Sequence, residues 1–304
     1  MDARQKRIGV DLGGTKIEAA VLEGDSKVVW RERVPTPHED YQGTLQAIKA
    51  LVERAIAENH LEENIPIGIG TPGSQSPRTG LMRGCNSTAL NEKPLLHDLC
   101  ETLARPVRLA NDADCFVLSE ACAGVGRGAD SVFGVILGTG VGGGVVIRQQ
   151  LLKGPNNNAG EWGHNAMPGN SVEGRKVRFC FCGRENCVEN WLSGRSLGNS
   201  FRAAGLAIEK TQQGIDLMRQ GDAVAVRVWN DYVQLLARAL AVVINVVDPD
   251  VVVLGGGVSN VDELYREVPA AWEQWIFSDV VRTRLLKAEH GDSSGVIGAA
   301  WLWP

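Results

Sequence analysis

At 304 residues, with 44% hydrophobic and 22% charged residues, the chain has an ordinary globular composition and enough length for two lobes. A formal charge of −5 and a pI near 5.6 argue against nucleic acid as a main partner. A signal-like apolar region and an apolar run of about 18 residues are both missing from the pattern, so neither secretion nor a membrane partner is expected.

Ile8 to Leu12 reads as a short apolar strand carrying one acid, Asp11, and Gly13-Gly14-Thr15 turns it into a second strand, Lys16 to Leu22. A third strand, Lys27 to Val34, completes a meander before Pro35 and Pro37 break it. Asp40 or a neighbour then starts an amphipathic helix with Leu45, Ile48, Leu51, Val52 and Ile56 on one face. Ile65 to Gly70 is a further strand ending in Thr71-Pro72-Gly73. Val107 to Ala110 runs straight into Asn111-Asp112-Ala113-Asp114 and a helix through Ala121. Asp112 is therefore either a helix N-cap or an acid projected from a strand end. Asp114, two residues further along the helix, is expected to point away.

The second half repeats the opening. Gly134-Val135-Ile136-Leu137-Gly138-Thr139-Gly140 aligns with Gly9-Val10-Asp11-Leu12-Gly13-Gly14-Thr15 at a constant offset of 125 residues (134 − 9). A later helix from Asp222 to about Val247 stops at Asp248-Pro249-Asp250 and leads to a strand, Val251 to Leu254, then Gly255-Gly256-Gly257. A last helix covers Gly295 to Trp303. These halves predict two α/β lobes: 1–115, with the C-terminal segment about 291–304 packing back on it, and 116–290.

Gly138-x-Gly140-x-x-Gly143 and Gly68-x-Gly70-x-x-Gly73 both match the dinucleotide pattern, yet neither leads from a strand into a helix, as that pattern must. No Gly-x₄-Gly-Lys-Ser/Thr occurs, which excludes a Walker P-loop. Two tight hairpins remain, whose backbone N–H groups can cradle phosphate oxygens. Asp11 and Lys16 belong to the first alone, since the duplicate has Ile136 in place of Asp11. One carboxylate on the Mg²⁺ side, from the first lobe, follows from this.

The most specific stretch runs from Gly160 to Glu189 and gathers His164, Cys180, Cys182 and Cys187. A Cys₃His set is a structural zinc pattern, and thiolates with one imidazole suit Zn²⁺ better than Mg²⁺ or Ca²⁺. Gly183 and Asn186 sit where such a knuckle needs positive φ. The alternative is three buried reduced cysteines near an unrelated histidine. Glu161 and Glu189 flank the knuckle as sugar-hydroxyl acceptors or as plain surface charge. Seven cysteines, an odd number partly clustered, point to a reducing cytoplasm, with Cys85, Cys100, Cys115 and Cys122 unpaired.

Together Asp11-Leu-Gly-Gly-Thr-Lys16, Gly68-x-Gly-x-Pro-Gly73, Asn111-Asp112-Ala113, the 138–144 glycine loop, Glu161-x-x-His164, Cys180-x-Cys-Gly-x₃-Cys187-x-Glu189 and Gly255-Gly-Gly257 resemble the ROK family of sugar kinases and sugar-responsive repressors. The resemblance spans almost the whole chain; Asn186 departs from the family's usual Gly there. It implies an α/β, two-lobe actin-like (ribonuclease-H-like) sugar kinase fold with a zinc knuckle, binding ATP, Mg²⁺ and a hexose, as a cytoplasmic homodimer. By matching position, Asp112 is the base for the 6-hydroxyl, while Gly73, Asn86, Asn111, Glu161, His164 and Glu189 hold the sugar. Asp11 acts on Mg²⁺. Gly13, Gly14, Thr15, Lys16 and Gly138, Thr139, Gly140, Gly142 and Gly143 meet phosphates, and Gly255, Gly256 and Gly257 flank the adenosine.

Within the family the 159–165 segment, Asn86-Ser-Thr88 and the C-terminal tail are most similar to manno(fructo)kinases, then to N-acetylglucosamine kinases. Fructose is therefore the expected substrate, with mannose or glucose secondary and N-acetylglucosamine or glucose kinase activity as the alternative. A repressor would carry an N-terminal helix-turn-helix, and seven residues before the first strand leave no room for one. A catalytically silent sugar sensor is the remaining rival.

Overall fold

The computed structural model describes residues 5–24, 26–85, 87–169 and 174–303. The chain divides into two compact units: Met1–Gly128 with Gly144–Ala159 and Glu289–Pro304, and Ala129–Gly143 with Gly160–Ala288. The division falls past helix α3 rather than after residue 115, and it returns 144–159 to the first unit.

In the first unit, β1 (Lys6–Leu12), β2 (Lys16–Glu23), β3 (Lys27–Pro35), β4 (Ile67–Thr71) and β7 (Val107–Asn111) form a sheet in the order β3-β2-β1-β4-β7. The meander pairs antiparallel, while β4 is parallel to both β1 and β7. Two short strands, β5 (Ser74–Gln75) and β6 (Met82–Arg83), make a separate ribbon. Helix α1 (Tyr41–Asn59) begins at Asp40, whose carboxylate accepts from the Gly43 N–H at 2.8 Å. It buries Leu45, Ile48, Leu51 and Val52 in the same core as β1, β2 and β4. Helices α2 (Leu95–Leu103) and α3 (Asp112–Cys122) follow.

Strands β8 (Ser131–Leu137), β9 (Val141–Ile147), β10 (Gln150–Leu151), β11 (Val251–Gly255) and β12 (Arg284–Lys287) form a second sheet in the order β10-β9-β8-β11-β12. The repeat holds to the residue. β8 starts and ends 125 positions after β1 (131 − 6, 137 − 12) and has the same alternation of burial. Helices α4 (Val188–Leu192), α5 (Gly194–Ala203), α6 (Thr211–Arg219), α7 (Ala223–Val247) and α8 (Leu264–Trp272) complete the second unit. Helix α7 is long and apolar enough to cross a membrane by length and composition. Half of its most apolar window is buried, with Trp229, Tyr232, Leu236 and Leu240 in the core, as in a globular core helix.

The C-terminal helix α9 (Ser294–Ala300) is shorter than expected and ends in a turn at Trp301. It lies against α3, β1 and β4. Gly68 is required by that packing: a Cβ there would stand 1.7 Å from the Ala299 carbonyl oxygen. The first dinucleotide-like pattern thus arises from helix packing and not from a phosphate turn.

Candidate active site

In the first unit the ends of β1, β4 and β7 carry the acids. Asn111, not Asp112, is the N-cap of α3: its Oδ1 accepts from the Asp114 N–H at 2.6 Å. The cap alternative for Asp112 is therefore overturned. The neighbouring residue takes the duty because it still has extended backbone, whereas Asp112 is already the first helical residue. Asp112 reaches solvent but is densely surrounded by protein atoms, as in a concavity. Desolvation raises its pKa against the pull of the Ala113 N–H, which donates to Oδ1 at 2.9 Å. Asp114 does not simply point away, since it lines the same small cavity as Asn111.

Asp11 is raised to about 6, first by burial and then by the charges of Glu18 and Asp112, with Lys16 and Arg33 opposing. Glu18 stands directly across from Asp11 in the β1–β2 register, and Arg33 across from Glu18 in the β2–β3 register. Glu18 is 2% exposed and is neutralised by Arg31 at 3.0 Å and by Arg33. Gly295 is the close neighbour of Asp11, where a Cβ would lie 2.7 Å from Oδ2. A hard carboxylate in a space this small suits Mg²⁺, which takes one or two protein carboxylates and completes its shell with phosphate and water. Thr15 and Lys16 are exposed beside it. The Gly13 N–H is spent inside the turn on the Lys16 carbonyl at 3.0 Å, so it does not serve a phosphate. Asn86 lies outside the described residues. Gly73 lines the cavity with Asn111.

In the second unit the knuckle closes. Backbone bonds from the Met167 N–H to Asn186 and from the Val188 N–H to Asn165, 2.8 and 2.9 Å, zip the His164 segment against the cysteine loop. Gly183 (φ 84°) and Asn186 (φ 52°) adopt the left-handed backbone expected of the turn. One ligand atom from each of His164, Cys180, Cys182 and Cys187 lies within 4.8 Å of all the others. Cys180 Sγ is 3.6 Å from His164 Nδ1, and Cys182 Sγ is 3.6 Å from Cys187 Sγ. Tetrahedral Zn²⁺ with bonds of about 2.3 Å to sulfur and about 2.0 Å to nitrogen sets ligand separations of roughly 3.5–3.8 Å. The four residues fit the metal.

Glu189 is buried and its Oε2 accepts from the Val141 N–H at 2.9 Å. It therefore braces the glycine hairpin directly. Trp162, beside the partly exposed Glu161, donates its indole N–H to the Gly142 carbonyl at 3.1 Å and meets Phe133 edge to face. A Cβ at Gly143 would come 2.6 Å from Trp162, so the second dinucleotide-like pattern is also a matter of packing. The Gly138 N–H closes its own turn on Gly140 at 3.0 Å. Gly138, Thr139 and Gly257 edge a cavity of 480 Å³ whose apolar walls include Leu137, Leu197, Ile215 and Val258. Its size and lining suit a nucleoside. Gly256 takes φ 81° at the end of β11, directing the chain past that cavity.

The sequence reading missed the segment 152–159. Lys153 donates to the Leu109 carbonyl at 3.0 Å and Asn157 to the Gln75 carbonyl at 3.4 Å, so the segment straps across β7 and β5. Only its Gly-Pro-Asn composition signalled a loop.

Comparison with known proteins agrees with this geometry. An N-acetyl-D-glucosamine kinase of Haemophilus influenzae (strain 86-028NP) is 39% identical over 300 residues, covering 97% of this chain and 98% of that protein. The ROK hexokinase of Thermus thermophilus superposes with a TM-score of 0.86 at 32% identity, over 98% of this chain and 97% of the other. A ROK family glucokinase from Streptomyces griseus, solved with glucose and AMPPNP, gives 0.72 at 28% identity over 97% and 98%. The likeness expected to manno(fructo)kinases thus gives way to one with an N-acetyl-D-glucosamine kinase. The fold is the α/β two-sheet fold of ROK sugar kinases. Residues 7–304 match the ROK family, and the chain belongs to it.

Proposed function

We propose that this protein phosphorylates the 6-hydroxyl of N-acetyl-D-glucosamine with ATP. The observation that carries the reading is the division of labour between Asn111 and Asp112: the first caps α3, and the second is left as a solvent-reaching acid of raised pKa. A base is best when its pKa lies near the working pH, so desolvation of Asp112 favours uptake of the hydroxyl proton. Likeness to an N-acetyl-D-glucosamine kinase supports the sugar, in place of fructose, and the AMPPNP-bound glucokinase supports ATP.

Phosphoryl transfer asks the protein mainly for positioning and charge neutralisation. Gly73, Asn86, Asn111, Glu161, His164 and Glu189 are the sugar ligands in this reading. Thr15, Lys16 and the 138–143 hairpin face the phosphates, with the nucleoside in the cavity edged by Gly257. Mg²⁺, when bound beside Asp11, neutralises phosphate charge. Zn²⁺ on His164, Cys180, Cys182 and Cys187 fixes the knuckle that carries Glu189. The same reading takes the protein as a cytoplasmic homodimer, which sedimentation would check. The test is kcat/KM with ATP across N-acetylglucosamine, fructose, mannose and glucose. N-acetylglucosamine is expected to rank first; the absence of sugar-dependent ADP release with all four would overturn the kinase reading.

A further inference from the structure

The cavity beside Asn111 belongs wholly to the first unit and measures 70 Å³. One water needs about 10–15 Å³ on this measure, so the space takes a group of about four to six heavy atoms. A whole sugar ring is too large for it. An acetamido group, with one nitrogen, two carbons and one oxygen beyond the ring, matches it.

Its walls are mixed in a way that suits that group. Met82, 2% exposed, and Leu109 offer apolar surface for a methyl, while Ser74, Asn111 and Asn157 bring polar groups. Asn111 has its oxygen committed to the Asp114 N–H, so its amide nitrogen is the half left to donate to a carbonyl oxygen. The 152–159 strap closes one side, pinned by Lys153 on Leu109 and Asn157 on Gln75. Ala159, a small residue, ends the strap and keeps the space open.

We infer that this cavity is the subsite for the 2-acetamido group of the sugar and that the 152–159 strap sets its depth. The inference rests on the sugar kinase reading above and adds to it the part of the chain that separates N-acetylhexosamines from plain hexoses. A subsite of this size accepts a methyl and rejects longer chains. Discrimination of one to two methylenes by a closed pocket is worth about 10–200-fold.

The experiment needs no variant at first. Steady-state kinase assays with ATP on N-acetyl-, N-propionyl- and N-butyrylglucosamine and on glucose should give the highest kcat/KM for N-acetyl, with N-butyryl lower by about tenfold or more. Equal rates for N-acetyl and N-butyryl would overturn the closed subsite. Ala159→Leu and Ser74→Leu, which fill the space from two sides, should each lower the N-acetylglucosamine-to-glucose ratio of kcat/KM by about tenfold or more. A ratio unchanged in both, with wild-type kinase activity present, would overturn the inference and leave the kinase reading standing. Loss of turnover on every sugar by the wild type would overturn the kinase reading instead.

Discussion

Glu189 and Gly140 are locked together: the Glu189 oxygen that accepts from the Val141 N–H at 2.9 Å would lie 2.5 Å from a Cβ on Gly140. The hairpin between β8 and β9 is thus held by a carboxylate two residues beyond the last cysteine of the knuckle. Gly140→Ala should push the hairpin off Glu189 and lower kcat/KM for ATP by about a hundredfold, the cost typical of a displacement near 1 Å. Steady-state kinetics with varied ATP checks this, and a value within about twofold of wild type would separate the hairpin from nucleotide binding.

The knuckle should hold one zinc per chain. Cys187, at 0% exposure, is the most enclosed ligand, so Cys187→Ser should remove stoichiometric metal and lower the thermal midpoint. Metal analysis of protein purified without chelator measures the first effect and calorimetry the second. Zinc-free wild-type protein with an unchanged midpoint would end the assignment.

Asp11 carries a sign that can be tested. Its pKa is raised from 3.8 to about 6 in the fold, so the ionised form is penalised there. Its stability contribution is complete below pH 3.8 and is lost as pH rises through about 6. Asp11→Asn should therefore stabilise the ligand-free protein at pH 8, by at most roughly 3 kcal/mol, and hardly at pH 4. The same variant should lose turnover, since no charge remains for Mg²⁺. Wild-type kcat/KM should fall as pH drops through about 6. Denaturation curves at both pH values and a pH profile check the three statements.

Glu120 is fully buried and its carboxylate accepts from the N–H groups of Glu289 at 3.1 Å, His290 at 3.0 Å and Val125 at 3.3 Å. It fastens the approach to α9 onto the end of α3. Glu120→Ala strands those donors and should cost about 3 kcal/mol or more in denaturant unfolding. Unfolding unchanged within error would mean that water replaces the carboxylate.

Much of this was legible in the chain because it depends on local rules. The 125-residue repeat predicted β8 from β1 because both strands are buried with the same alternation. The Cys₃His spacing predicted the knuckle because φ > 0 at Gly183 and Asn186 is written in the residue types. Adjacent Asn111 and Asp112 defeated the reading because either can cap a helix, and only the backbone at β7's end decides. Glycines at 68 and 143 imitated a nucleotide motif because α9 and Trp162, far away in sequence, press on them. The 152–159 strap left no periodic signal, since its bonds to Leu109 and Gln75 span 44 and 82 residues.

The most direct test of the account is turnover of N-acetylglucosamine and ATP by Asp112→Asn. Asn111 keeps the helix cap in this variant, so the protein should fold with a thermal midpoint near that of the wild type. General-base help is typically worth about 10²–10⁴-fold, and kcat should fall by at least about a hundredfold while sugar affinity, read by calorimetry, stays within about threefold. A folded Asp112→Asn protein with kcat within about threefold of wild type would contradict the assignment of Asp112 as the base.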